Sequence, residues 1–209
     1  MLARRTTCRL RVMECMARPA KDIYAGYMPE PLSPPGASFP HSATWRVRQP
    51  SALVTHVLEV HHEPTRAMLT KIERLLACVT DAFCVRPPLP EIAAEFARLR
   101  DALIEHLDVE ERDVFGAITS LENRSLVHVS RAIARANQEH MALHLEVERL
   151  RARADELRVM DDTCRALRAL EGALADLERE LHSHFQLESE VLFPRAEELE
   201  RTVREESRR

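Results

Sequence analysis

The sequence contains four long segments with helical periodicity, and polar residues continue the apolar face of two of them. In the second segment, apolar residues recur at steps of three and four up to Leu103, and the next steps reach His106 and Glu110. In the fourth segment, a leucine series continues in the same way onto His184 and Glu188. A helix presents residues at these steps on one face. The sequence therefore predicts that histidine and glutamate side chains lie in the interior of the protein.

The four segments are predicted to be helices A to D, at residues 51–83, 90–116, 123–158 and 161–192. Pro64 is expected to bend helix A, and Pro194 is expected to end helix D. Only four glycines and 4% aromatic residues argue against a β-rich fold. Short connections between long helices are typical of antiparallel neighbours. The predicted fold class is therefore all-α, an up-down-up-down four-helix bundle.

The two ends of the chain differ in composition from this helical part. Six prolines and two glycines lie between residues 26 and 50, where they cannot sustain a helix. The last residues are strongly charged. We therefore predict a flexible N-terminal tail at 1–50, the bundle at 51–195 and a charged C-terminal tail at 196–209.

Bulk properties exclude some partners and favour one compartment. The formal net charge of -4 gives no reason to expect a nucleic-acid or membrane surface. No apolar run approaches the length of about 18 residues that a transmembrane helix needs. Five cysteines without a C-x-x-C pair do not indicate a disulfide framework. These features favour a protein of the reducing cytoplasm.

A metal ion explains why carboxylates stand on an apolar face. An ionised carboxylate buried without a partner is costly, whereas a metal ion neutralises its charge. A histidine and a glutamate four residues apart lie on the same side of a helix, so both can reach one metal ion. The pattern also repeats, because His62 precedes His106 by 44 residues and His140 precedes His184 by 44 residues. The repeat predicts a dinuclear metal site in the core of the bundle.

Five histidines and two glutamates form the predicted ligand set. They are His62, His106, Glu110, His140, His144, His184 and Glu188. Imidazole and carboxylate ligands suit iron, with manganese and zinc as alternatives, and the absence of cysteine argues against an iron–sulfur centre. The predicted cofactor is two iron ions (Fe2+/Fe3+), joined by an oxo or hydroxo bridge and by Glu110 and Glu188. The expected division gives one iron His140, His144 and His184, and the other His62 and His106, with a position left open for a small diatomic ligand.

The order H…H-x-x-x-E…H-x-x-x-H…H-x-x-x-E, over about residues 51–195, resembles the hemerythrin-like, or HHE cation-binding, domain. The motifs HHEPTR and HSHFQLESEVLFP are most similar to the branch that includes the iron–sulfur cluster repair proteins. The resemblance implies a non-haem di-iron protein. That branch carries a ligand histidine where this chain has Phe83 and Cys84, and an N-terminal paired-cysteine motif that residues 1–50 lack. His144 completes the set as in oxygen-binding hemerythrins.

Several functions fit such a site. The leading one is a cytoplasmic protein that binds O2 or NO or handles iron. The alternatives are repair of damaged iron–sulfur clusters by iron donation, with iron–sulfur apo-proteins as partners, and a di-iron oxidoreductase. Carboxylate-rich di-iron bundles use more carboxylate ligands, which argues against the oxidoreductase. A metal-free interaction module would require seven buried polar groups to satisfy one another. We therefore expect a protein that binds metal and a diatomic ligand rather than a classical enzyme.

The remaining histidines have simpler interpretations. His61 points about 100° away from His62 around the helix, and it could replace His62 as a ligand only if Pro64 changes the helical register. The others are expected at the surface or behind the ligands: His56, His128 and His182.

Overall fold

The computed structural model describes residues 48–83, 89–160 and 165–209, in which helices form four rods and no strand occurs. Rod A consists of α1 (Pro50–Val57), a π-helical turn π1 (Leu58–His62) and α2 (Glu63–Phe83). Rod B consists of α3 (Leu89–Glu110), π2 (Glu111–Phe115) and α4 (Gly116–Glu122). Rod C is α5 (Ser130–Met160). Rod D consists of α6 (Arg165–Leu187), π3 (Glu188–Leu192) and α7 (Phe193–Ser207). The predicted tail at 1–50 lies almost wholly outside the described residues.

The rods pack in a closed ring in which rods A and C each contact rods B and D. The apolar interior is divided into two clusters. Core 1 contains buried residues from one part of each rod, for example Leu69, Leu99, Leu150 and Leu174. Core 2 contains buried residues from the other part of each rod, for example Val57, Ile118, Ile133 and Leu192. The chain runs from core 2 to core 1 along rods A and C and in the reverse direction along rods B and D. Neighbouring rods are therefore antiparallel, which confirms the all-helical bundle.

A layer of buried polar side chains separates core 1 from core 2. On each rod the change from one core to the other occurs at these residues. They are His62 on rod A, His106 and Glu110 on rod B, His140 on rod C, and His184 and Glu188 on rod D. Their exposed fractions do not exceed 5%, so the prediction that they lie in the interior is confirmed. We call these six residues the polar layer.

Pro64 and Pro194 occupy equivalent positions in rods A and D. Each is the second residue of an α-helix that follows a π-helical turn. The N–H of Glu63 donates to the carbonyl of Leu58, and the N–H of Phe193 donates to the carbonyl of Glu188, five residues back in both cases. Proline has no N–H to donate, so each helix continues past its proline beside a π-helical turn in which the hydrogen bonds have shifted to partners five residues back. The expectation that Pro194 ends helix D is therefore wrong, and rod D continues to Ser207.

Helix α7 packs against the bundle, contrary to the charged tail predicted at 196–209. Ala196, Glu200 and Val203 are buried at helical spacing. Glu200 accepts hydrogen bonds from the N–H of Val129 at 3.1 Å and from the N–H and Oγ of Ser130 at 3.2 and 2.8 Å. Since rod C begins at Ser130, Glu200 caps its free N–H groups and complements the positive end of its dipole. Charged residues on the outer face of α7 concealed this buried stripe from sequence-based inspection.

Two other expectations also differ from the structure: the boundary between rods B and C, and the state of the cysteines. Rod B extends to Glu122 and rod C begins at Ser130, so the boundary predicted at residue 123 is wrong. Cys78 takes part in a disulfide, which removes the support that the cysteines gave to a reducing compartment. Among the helices that the structure describes, none is long and apolar enough to cross a membrane.

Replacing Glu200 by Gln should destabilise the fold. Burial acts to raise the pKa of Glu200, but hydrogen bonds from Ser130 and Val129 outweigh it and hold the pKa below its ordinary value. The stabilisation is therefore present above the unfolded-state pKa and is lost as the pH falls through the folded-state pKa. In urea denaturation at pH 7, we expect Glu200→Gln to lose about 1.5–3 kcal/mol, with a smaller difference in acid. Equal stability of Glu200→Gln and the exposed control Glu197→Gln at pH 7 would contradict the capping role.

Candidate metal centre

Two pairs of imidazole nitrogens face each other in the polar layer. Nε2 of His62 on rod A lies 3.1 Å from Nε2 of His184 on rod D. Nε2 of His106 on rod B lies 3.1 Å from Nε2 of His140 on rod C. Two ligand atoms bound to one metal ion, with bonds of about 2.0–2.2 Å, are separated by a similar distance. Each pair can therefore hold one metal ion without a large rearrangement.

The carboxylates of Glu110 and Glu188 lie between these two pairs. Oε1 of Glu188 is 2.9 Å from Nε2 of His184, and its Oε2 is 3.4 Å from Nε2 of His140. Oε2 of Glu110 is 3.5 Å from Nε2 of His62 and 3.7 Å from Nε2 of His106. Each carboxylate therefore approaches both histidine pairs, which is the position that a bridging ligand takes.

The ligand atoms fall into two overlapping groups, within each of which they lie no more than 4.8 Å apart. One group is His62, Glu110, His184 and Glu188, and the other is His106, Glu110 and His140. Glu110 belongs to both. The polar layer thus offers two adjacent positions for metal ions with a carboxylate in common.

Three of the four carboxylate oxygens lack a hydrogen-bond partner within the described part of the chain. They are both oxygens of Glu110 and Oε2 of Glu188. Buried polar atoms in folded proteins nearly always have a partner, and three unpartnered carboxylate oxygens in the same layer need an explanation. A bound cation satisfies such oxygens, so the donor atoms fit a metal ion.

The charges in the polar layer depend on one another. Burial lowers the pKa of His62, but the nearby carboxylates of Glu110 and Glu188 outweigh this effect and raise the pKa to about 10. Burial lowers the pKa of His140 to about 3. Burial, and then the negative charge of Glu188, raise the pKa of Glu110 well above its ordinary value. Protons therefore compensate the carboxylates in the protein alone, and a metal cation would provide the same compensation.

Two more glutamates orient one histidine of each pair. Oε1 of Glu111 lies 2.9 Å from Nδ1 of His62, and Oε2 of Glu139 lies 2.9 Å from Nδ1 of His106. A carboxylate at Nδ1 fixes the tautomer that leaves Nε2 free to bind a metal, and it raises the basicity of the ring. Arginines hold both carboxylates in turn, through Arg66 to Glu111 at 3.1 Å and Arg135 to Glu139 at 2.6 Å.

Ring stacking holds the other histidine of each pair. The rings of His140 and Phe185 are nearly parallel, at 11° and 4.0 Å between centroids. The rings of His184 and His61 are likewise parallel, at 7° and 5.3 Å. Nδ1 of His61 lies 2.6 Å from Oε1 of Glu180. This contact holds the His61 ring in place against the ring of His184. His62, not His61, contributes its Nε2 to the polar layer.

Six of the seven predicted ligands come together in this layer, but His144 does not. Its side chain is 38% exposed, and its Nε2 lies 3.3 Å from Oε1 of Glu148. The expected division of the histidines also differs from the structure, which pairs His62 with His184 and His106 with His140. The pairing depends on how the rods are rotated against one another in the closed ring, since each rod contacts two neighbours.

Sequence inspection missed Glu111 and Glu139. A local signal was present, because Glu111 directly follows Glu110 and Glu139 directly precedes His140. Each is therefore rotated by about 100° around its helix from a residue of the polar layer. Such a position reaches the outer edge of a ring on the neighbouring rod. Which ring it reaches depends on the packing of the rods.

Three similar proteins are all named iron-sulfur cluster repair proteins. The chain is 25% identical over 158 residues to the iron-sulfur cluster repair protein YtfE of Musicola paradisiaca, which covers 75% of this chain and 70% of that protein. It is 25% identical over 153 residues to the repair protein DnrN of Neisseria gonorrhoeae, with 73% and 95% covered. It is 25% identical over 144 residues to the repair protein ScdA of Staphylococcus haemolyticus, with 68% and 65% covered.

The chain is a homologue of the iron–sulfur cluster repair proteins. This result confirms the resemblance to the repair branch of the hemerythrin-like proteins. The similar segments span about three quarters of the chain for the first two relatives. No family model and no solved structure matches the chain. Together, the repair homologues and the buried histidine–glutamate layer support a metal site.

Removing the carboxylate of Glu139 should weaken metal binding although Glu139 is not itself in the polar layer. We expect Glu139→Ala to lower the Fe2+ affinity of the metal-free protein about 10- to 100-fold, measured by competition with a chromophoric chelator. Glu139→Gln should retain part of the affinity, because its amide oxygen still accepts the hydrogen bond from His106. Glu146→Ala, an exposed position on the same helix, is the control. If Glu139→Ala binds Fe2+ as tightly as this control, Glu139 does not orient His106.

Proposed function

We propose that this protein repairs damaged iron–sulfur clusters by supplying iron from the polar layer. The observation that carries the proposal is the pair of buried carboxylates with three unpartnered oxygens, set between two pairs of facing imidazole nitrogens. The similarity to proteins named for iron–sulfur cluster repair supports the same function. The proposed recipients are iron–sulfur proteins that have lost iron, and the proposed location is the cytoplasm.

The donor set favours iron as the cargo. Four imidazoles and two carboxylates, with no thiolate, suit Fe2+ and Fe3+ better than copper(I) or an iron–sulfur cluster. We propose two iron ions, one beside His62 and His184 and the other beside His106 and His140. Glu110 and Glu188 would bridge them, together with an oxo or hydroxo group. The position of both carboxylates supports bridging, because each approaches a histidine of both pairs.

The small number of protein ligands supports release rather than permanent storage. In this arrangement each iron would be held by two imidazoles and a share of two carboxylates. Non-haem iron sites with few protein ligands keep open positions, which water or a ligand from the recipient can occupy. Exchange of ligands at such positions offers a route for iron to leave. His144, which would have supplied a fifth imidazole, lies outside the layer.

The other predicted functions receive less support. The leading function predicted from the sequence is binding of O2 or NO or handling of iron, and the names of the relatives favour the repair alternative. Open coordination positions would also accept a diatomic ligand, and this binding stays a prediction. A di-iron oxidoreductase remains disfavoured, because the polar layer contains twice as many imidazoles as carboxylates.

Transfer of iron to a recipient tests the proposal directly. The iron-loaded chain is mixed with the metal-free form of an iron–sulfur enzyme, sulfide and a chelator that captures free Fe2+. We expect recovery of cluster absorbance and enzyme activity, at a rate above that of an equal concentration of free Fe2+. Glu110→Ala removes the ligand common to both positions, so it should bind less iron and restore little activity.

The matched control is Glu105→Ala, an exposed position on α3 that should transfer iron normally. Iron that stays on the wild-type chain while the recipient remains inactive would show that the protein stores iron rather than donating it. Equal transfer by Glu110→Ala and Glu105→Ala would place the transferred iron elsewhere on the chain.

A further inference from the structure

Two histidines and a glutamate, side-chain types that can ligate a metal ion, lie together on the surface between rods C and D, outside the polar layer. His144 on α5 has its Nε2 3.3 Å from Oε1 of Glu148, and the exposed fractions of these side chains are 38% and 51%. The ring of His182, an exposed residue of α6, lies 6.2 Å from the ring of His144 between centroids. We propose that His144, Glu148 and His182 bind one divalent transition-metal ion at this surface.

The distances on α5 already fit a chelating pair. Nitrogen and oxygen atoms on one tetrahedral ion, with bonds of about 2.0–2.2 Å, are separated by a little over 3 Å. The separation of 3.3 Å between His144 and Glu148 matches this value. Both residues belong to an H-x-x-x-E spacing, which places the two side chains on the same side of the helix.

The third ligand needs only a small movement. In the polar layer, the ring centroids of the facing histidine pairs are 4.8 Å apart, compared with 6.2 Å between His144 and His182. His182 is exposed, so its side chain can change rotamer without disturbing the core. A rotation of this side chain toward His144 brings a second imidazole to the ion.

The donor atoms define the class of ligand. Two imidazoles and one carboxylate suit Zn2+, Fe2+, Co2+ or Ni2+, whereas Mg2+ and Ca2+ prefer oxygen ligands. Three protein ligands leave a position for water, and the exposure of the group allows the ion to exchange rapidly. His144 is one helical turn from His140 in the polar layer. If the proposed function holds, this surface site is where iron is held beside the centre before entry or after release.

As a surface ligand, His144 has a different role from the one predicted from the sequence. The sequence predicts His144 as a ligand of one buried iron, whereas the proposed surface site uses it together with His182. One side chain cannot occupy both places at once. Substitution of His182 separates the two roles, because His182 has no place in the predicted buried ligand set.

Titration with Zn2+ tests the surface site on the protein with its centre already loaded with iron. Isothermal titration calorimetry should show a single additional Zn2+ bound per chain. We expect His182→Ala to weaken this binding at least tenfold while its iron content equals that of the wild type. The control is His128→Ala, which removes another exposed histidine, on the loop before rod C, and should bind Zn2+ as the wild type does.

Three results would overturn the surface site. They are the absence of additional Zn2+ binding, equal Zn2+ affinity of His182→Ala and His128→Ala, and loss of iron with unchanged Zn2+ binding in His144→Ala. The Zn2+ titration does not depend on iron transfer. Failure of iron donation would therefore leave the surface site standing, and failure of the surface site would leave the proposed donation standing.

Discussion

Two carboxylates buried in the middle of the bundle determine what the surrounding structure has to provide. Glu110 and Glu188 are at most 1% exposed and have three unpartnered oxygens between them in the described structure. Burial of such charge is unfavourable unless cations or protons compensate it. Four imidazoles surround the carboxylates, and two separate apolar cores hold the rods together on either side of them. The stability of the bundle therefore comes from its two ends, which leaves the middle free for chemistry.

The π-helical turns reconcile this polar layer with the two cores. π1 ends at His62, π2 follows Glu110 and π3 begins at Glu188. Each π-helical turn adds a residue to its rod and so rotates the following side chains around the rod axis. The apolar face can thus contact core 1 before the polar layer and core 2 after it. Turns of this kind occur frequently at functional sites, and here all three adjoin the polar layer.

Much of this arrangement could be read from the sequence, because period and spacing determine which side of a helix a residue occupies. The steps that end at His106 and Glu110, and at His184 and Glu188, predicted buried positions correctly. His144 was misplaced, although Leu143 and Val147 continue the buried face and leave His144 beside it. The pairing of histidines and the contacts of Glu111 and Glu139 depend on which rods meet at one level. The sequence pattern of a single helix does not contain that information.

X-ray absorption spectroscopy at the iron edge tests the central proposal, that the polar layer can hold two iron ions with Glu110 and Glu188 between them. The iron-loaded protein should show only nitrogen and oxygen in the first shell, outer-shell scattering from imidazole rings and an iron–iron distance of about 3.5–4 Å or less. Isolated iron without an iron neighbour, or sulfur in the first shell, would contradict the account.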